Sequence, residues 1–220
     1  MKELERVKVK FHGQRAMLLH NGRAASPTDP YGIAMKEISS KRKKTLDDHW
    51  NLYKLQFESS LYFDPWLEPN DEENNSKEGV GPYLPGMNVL YSIREGGKLN
   101  RLGKKILQSM FVEEEICPIL YKGPRDLKSL WGDGKSPFVD IRQVGTGQNG
   151  RFDICRPIFR DWIVEATFAF DTRMIDLETF LMVVNNTGNY IGMGAFRQIY
   201  GRFDFEYEIL TEEEQEREAI

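Results

Sequence analysis

Residues 176–207 read DLETFLMVVNNTGNYIGMGAFRQIYGRFDFEY, and the three parts of this stretch decide which fold the rest can join. Leu177, Phe180, Leu181 and Val184 recur at helical spacing behind Asp176, whose carboxylate suits an N-cap. Asn185, Asn186 and Gly188 are residues that end helices. A glycine-rich run, IGMGAFRQIYG, follows. From Arg202 onward, RFDFEYEI alternates polar and apolar as a half-buried strand does. A helix, a glycine loop bearing Arg197 and Arg202, and a strand together imply a place where backbone N–H groups and two guanidinium forks approach a phosphate chain. Gly192, Gly194 and Gly201 equally suit a loop that needs positive φ and nothing more. They are not a dinucleotide fingerprint, because the helix precedes the glycines instead of following them.

With 220 residues, 40% hydrophobic and 12% aromatic, the chain can build a sizeable core as one domain or one domain with an insertion. No apolar run approaches the roughly 20 residues that span a bilayer. The start, MKELERVKVKF, lacks an apolar signal region, which points away from secretion and from a membrane partner and toward the cytoplasm. Cys117 and Cys155 sit in strand-like contexts and read as reduced core thiols. His12, His20 and His49 are too far apart for metal-ligand spacing, so neither a metal nor a cofactor is expected. The net charge of −4 hides segregation: residues 1–56 hold 12 Lys/Arg against 6 Asp/Glu, and the last ten, TEEEQEREAI, hold five Glu and one Arg. The tail reads as frayed, and a local basic patch leaves a nucleic-acid partner open.

Residues 7–19 begin with strand alternation, Val7, Val9 and Phe11 on one face, and Gly13 suits a bulge. His20-Asn21-Gly22-Arg23 turns out of the strand, and His20 there suits a general base, a phosphate donor or a structural histidine. Residues 33–57 resume helical spacing as two helices, with Ser39, Ser40 and Thr45 as cap candidates and a basic corner of Lys41, Arg42, Lys43 and Lys44. Residues 60–67 read as a short strand and 68–81 as a mobile acidic loop. A basic helix follows Pro85-Gly86 to about Met110, broken at Gly96-Gly97, with Arg94, Lys98, Arg101, Lys104 and Lys105. Ile93, Leu99, Leu102, Ile106 and Leu107 form its apolar side. Residues 111–121 read as a strand with Pro118 at an edge or bulge, 126–130 as one helical turn, 139–150 as a flexible hairpin tip, and 151–170 as the longest strand. Without insertions the order is strand, helix, strand, strand, helix, strand: an α+β fold with a ferredoxin-like (RRM-like) βαββαβ core. The expected boundaries are 1–23 and 82–210 for the core, 24–81 for a helical insertion with its acidic loop, and 211–220 for the tail.

Three features resemble the RAMP superfamily, the Cas7-like proteins of CRISPR effector complexes. They are the order of elements, the YLPGMN opening of the first core helix (residues 83–88, against "IPGSS"), and the glycine loop of residues 191–203. The whole length is more similar to a group of bacteriophage and prophage proteins through LLHNGR (18–23), ISSKRKK (38–44) and GRF (201–203). These resemblances imply a protein of a bacterial host cell that binds single-stranded RNA or DNA, RNA in preference, and self-associates as a filament or ring. Phosphates would meet Arg23, Lys41, Arg42, Lys43, Lys44, Lys98, Arg101, Lys104, Arg197 and Arg202, with Gly192, Gly194 and Gly201 under the backbone, while Tyr31, Trp50 or Tyr200 stack bases. Two alternatives stay open. One is a metal-independent RAMP-type endoribonuclease using His20. The other is a phage assembly or host-defence-inhibiting protein on the same scaffold. The sequence contains no nucleophile motif, metal cluster or paired carboxylates that would select an enzyme.

Overall fold

The computed structural model describes residues 4–63, 80–145, 151–197 and 199–210. Among these it is an α+β protein with antiparallel sheets. No helix among the described residues is long and apolar enough to cross a membrane. Residues 68–79 of the acidic loop, residues 146–150 of the expected hairpin tip and the C-terminal tail lie outside the described residues. Residues 139–145, expected to belong to that flexible tip, are instead a paired strand, because they form a ladder with residues 151–157. The chain divides into two units, residues 1–17, 84–121 and 160–220 in the first and 18–83 and 122–159 in the second. Residues 18–23 and the described residues of 122–159, which the expected boundaries put with the core, group with the helical segment in the second unit.

The first unit is built on a four-stranded sheet of β1 (Glu5–Gly13), β4 (Met110–Val112), β8 (Ile163–Phe170) and β9 (Phe203–Ile209), in the order β4-β8-β1-β9. Its neighbours are all antiparallel. Hence β1 and β4 run parallel with β8 between them, and β8 and β9 run parallel with β1 between them. Alternation in β1 sends Val7, Val9 and Phe11 to one face, where all are fully buried. Each such burial contributes roughly 1.5–3 kcal/mol. Phe11 meets Phe168 and Phe203 edge-on, and Phe180 of helix α6 (Leu177–Asn186) lies 5.0 Å from Phe170. Asp176 caps α6 as expected, accepting from the Thr179 N–H at 2.8 Å. The helix does not stop at Asn186 but widens into a turn at Thr187–Ile191.

Between β1 and β4 the chain runs through β2 (Met17–Leu18), two helices of the second unit, β3 (Tyr83–Pro85), helix α3 (Gly86–Lys98) and helix α4 (Gly103–Ser109). The Gly96-Gly97 pair does not break α3, contrary to the sequence reading. A side chain at Gly96 would overlap Thr187 Oγ1, so the glycine marks where α3 approaches the end of α6. The helix runs through the pair and ends one residue beyond it, at Lys98, with α4 starting at Gly103; Leu99 and Leu107 are exposed while Ile93 and Ile106 are buried. Residues 111–121 are not one strand: β5 (Ile116–Pro118) leaves the main sheet and pairs with β3.

In the second unit α1 (Pro30–Ser39) and α2 (Leu46–Ser60) confirm the two helices of residues 33–57. Asp29 caps α1, and Thr45 with Asp48 forms a capping box on α2. Helix α2 runs through Ser60, where a strand was expected. Helix α5 (Leu127–Trp131) places Trp131 5.5 Å from the fully buried Phe57. The hairpin β6 (Val139–Gly145) with β7 (Arg151–Phe159) lies beside α2, where Tyr53 donates to Asp153 at 2.6 Å and Gln56 accepts from the Cys155 N–H at 2.9 Å. The run 151–170 is thus two strands, β7 and β8, in different sheets, because the chain turns at residues 160–162. Cys117 and Cys155 are buried free thiols, and burial pushes both up to about 12. Thr45→Ala removes the cap of α2 and is expected to lower stability by about 1 kcal/mol in urea unfolding.

Candidate nucleic-acid interface

Helix α3 ends in a tight reversal. The Leu102 N–H bonds to the Gly97 carbonyl at 2.8 Å and the Arg101 N–H to the Lys98 carbonyl at 3.1 Å. This is the Schellman pattern, in which the residue before the last adopts the left-handed region and is usually glycine. Here that residue is Arg101, with φ of +61°. A non-glycine residue in this region is strained by roughly 1–2 kcal/mol. The chain therefore keeps an exposed arginine where glycine would relieve the backbone, and such outliers concentrate at functional sites.

The reversal opens a cleft of about 450 Å³ lined by Arg94, Lys98, Arg101, Gly103, Lys104, Leu107 and Gln108. Four cations line it, and Glu95 is their one acidic neighbour among the described residues, 2.6 Å from Lys98 and 3.7 Å from Arg94. Arg101 and Lys104 have no acid within ion-pair distance among the described residues and are exposed. Three residues anticipated from the sequence, Lys98, Arg101 and Lys104, thus share one cleft; Arg94 completes it. Asn100 accepts from Asn186 Nδ2 at 2.8 Å, tying the reversal to the end of α6 and so to the segment that leads into the glycine loop.

In that loop Gly192, Gly194 and Gly201 have φ of +85°, +78° and +70°. The glycines' role needs correction. The Gly192 N–H bonds to the Thr187 carbonyl, the Met193 N–H to the Gly201 carbonyl and the Gly201 N–H to the Ala16 carbonyl, at 2.7–2.9 Å. Side chains at Gly192 or Gly201 would collide with the facing backbone. These two glycines close the loop on itself, and their N–H groups are not donors to a phosphate. What the loop offers outward is side chains. Arg15, Ala16, Ile199, Tyr200 and Arg202 line a second cleft of about 620 Å³. Phe196, with φ of +50°, is 40% exposed, and Tyr190 is 64% exposed. Large aromatics held in this way on a surface present ring faces to stack against. Arg197 is half-buried in the same loop.

The candidates of the second unit are more occupied. Arg23 pairs with Asp29 at 2.8 Å and lies 5.0 Å over the Tyr31 ring, so it braces the cap of α1. Lys41 pairs with Asp48 at 2.5 Å, and Lys44 Nζ donates to the Lys41 carbonyl at 3.2 Å. Hydrogen bonds from Lys41 and then from the Thr45 N–H hold the Asp48 carboxyl down to about 2. That stabilisation is present above pH 3.8 and lost as pH falls toward 2. Half of the basic corner is therefore helix-cap structure, and Arg42 and Lys43 are the exposed pair left to meet a ligand. Partial burial, and then the Arg156 guanidinium, push the exposed His20 below the ordinary imidazole range.

Sequence reasoning missed Arg15, Phe196 and Tyr190 as site residues. Arg15 gave only the signal of a cation just past a strand end, and exposed aromatics in a loop cannot be told from core ones without the backbone. Among the described residues, no three His, Cys, Asp or Glu gather as a metal site. No protein-family model matches the chain, and no curated protein matches it in sequence.

Proposed function

We propose that this protein binds single-stranded nucleic acid, RNA in preference to DNA, through cationic clefts and exposed aromatics of its first unit. The observation that carries the reading is Arg101, an exposed arginine in a strained backbone position beside Lys98 and Lys104 in a cleft with one neighbouring acid. Clustered cations neutralise phosphates, and Phe196, Tyr190 and Tyr200 supply faces for sequence-tolerant base stacking. The strand order β4-β8-β1-β9, with a helix in each interleaved strand-helix-strand passage, supports reading the core as ferredoxin-like. That architecture is used by several single-strand RNA binders. Copies lining up along one strand belong to the same proposal.

Anisotropy of labelled oligouridylate and oligothymidylate, each about 16 nucleotides long, tests it. Five or six phosphate contacts predict a log–log slope of affinity against salt of roughly −4. Tighter binding of the uridylate is expected. Binding that does not weaken between about 0.05 and 0.2 M salt would sink the mechanism.

One observation favours a second reading, metal-independent RNA cleavage. His20 is held toward its neutral form beside Arg156, an arrangement that suits a base next to a charge-stabilising cation. Cleavage that persists in EDTA and is lost in His20→Ala would establish it.

A further inference from the structure

We infer that the outer edge of β9 accepts an extended strand from another polypeptide whose residues alternate basic and apolar, adding it to the sheet. Strand β9 ends the sheet order, and β1 is its one strand partner among the described residues. Its seven residues, Phe-Asp-Phe-Glu-Tyr-Glu-Ile, pair with β1 one to one from Gly13 opposite Phe203 to Val7 opposite Ile209. The strand has no bulge, proline or lysine; the charges it carries against edge pairing, Asp204, Glu206 and Glu208, are all acidic, so they repel an acidic strand and admit a basic one. It is long enough to offer a ladder of backbone groups, and addition of a strand to such an edge is a recurring recognition mode.

The two faces of β9 specify what would fit. Phe203, Phe205, Tyr207 and Ile209 share the face of Val9. Phe203, at the start, is 3% exposed, but Tyr207 is 48% and Ile209 46% exposed, so the apolar face is uncovered toward the strand's end. The other face carries Asp204, Glu206 and Glu208, opposite His12, Lys10 and Lys8. Of these, Lys10 is engaged by Glu165 of β8, 3.0 Å away, and His12 Nε2 lies 3.5 Å from Glu206. The Glu206 side chain remains 76% exposed, and Asp204 and Glu208 have no cation within ion-pair distance among the described residues. An incoming strand with Lys or Arg on this face and apolar residues on the other matches both.

A second copy of this chain fits poorly. Pairing β9 with β9 sets acid against acid, which destabilises cross-strand neighbours. The opposite sheet edge, β4, has three residues and is followed by Glu113, Glu114 and Glu115. That edge is too short to pair with β9 along its length, and its Glu113 and Glu114 are already engaged by Arg6 and Thr167, so the occupant is a basic segment of a different protein.

The probe is a labelled peptide copying residues 6–13, Arg-Val-Lys-Val-Lys-Phe-His-Gly, the pattern that β9 already meets on its inner edge. Its control has both lysines replaced by glutamate. Expected results are saturable binding of the basic peptide, slowed amide exchange at residues 204–208, and no binding of the control. Glu206→Gln with Glu208→Gln weakens binding about tenfold while the unfolding midpoint holds. Tyr207→Ser, which leaves the charges in place, weakens it independently. The inference is overturned if the basic peptide does not bind or the control binds equally. It is also overturned if protection appears away from β9, if β1 amides become exposed because the peptide displaces β1, or if β9 is already protected by self-association.

Discussion

Replacing Lys98, Arg101 and Lys104 together by alanine is expected to weaken binding of oligouridylate about a hundredfold at 0.1 M salt. Each phosphate contact with a single strand contributes about 0.7 to the log–log slope, which near 0.1 M amounts to roughly fivefold in affinity. Three contacts multiply to about a hundred, and the slope shallows from roughly −4 to about −2. All three side chains are exposed in the α3–α4 cleft, so their loss leaves the core untouched. Arg101→Gly separates function from fold. Glycine at φ of +61° relieves backbone strain and should raise stability by up to about 1 kcal/mol, yet it should weaken binding about fivefold. A more stable variant that binds as tightly as the parent would mean that Arg101 has no part in the interface. Titrations at several salt concentrations, with thermal unfolding of the same samples, read both quantities.

Trp162→Ala is expected to destabilise the first unit by about 3–5 kcal/mol, lowering its unfolding midpoint by roughly 10 °C. Trp162 is 1% exposed and packs edge-on at 6.4 Å against Phe203. Its ring fills the space where Gly13 lacks a side chain, which explains that glycine better than a bulge does. The indole Nε1–H donates to the Arg15 carbonyl at 2.9 Å, and the Gly13 N–H donates to the Trp162 carbonyl at 2.9 Å. One side chain thus fixes the end of β1, the start of β9 and the backbone that carries Arg15 into the second cleft. Trp162→Phe keeps most of the apolar burial but strands the Arg15 carbonyl. It should fall between the parent and Trp162→Ala in stability and still weaken nucleic-acid binding. Calorimetry beside the anisotropy titration distinguishes the two effects.

Local signals were legible where one residue type does one job. Asp176 and Thr45 cap helices because a short side chain with an acceptor oxygen satisfies a free N–H, which needs no distant partner. Alternation placed Val7, Val9 and Phe11 inside, since the strand's period of two leaves the other face to Lys8 and Lys10. Gly96-Gly97 misled because a glycine pair reads as a break unless the helix it must touch is known. Residues 151–170 read as one strand because hydrophobic pattern carries no mark for a change of sheet. Lys41 and Arg23 looked like ligand cations because an ion pair with a residue six or seven places away leaves no periodic trace.

From the sequence alone came the class of fold, the caps at Thr45 and Asp176, the inward faces of the strands and the cationic character of residues 94–104. These follow from neighbours in the chain, whose geometry is set by local backbone preferences. Tertiary structure alone decided that the chain forms two units, that Gly192 and Gly201 close a loop rather than hold a phosphate, that Arg101 bears strain, and that β9 leaves an acidic edge open. Each depends on which distant backbone comes within a few ångströms, and that is settled only when the whole core packs.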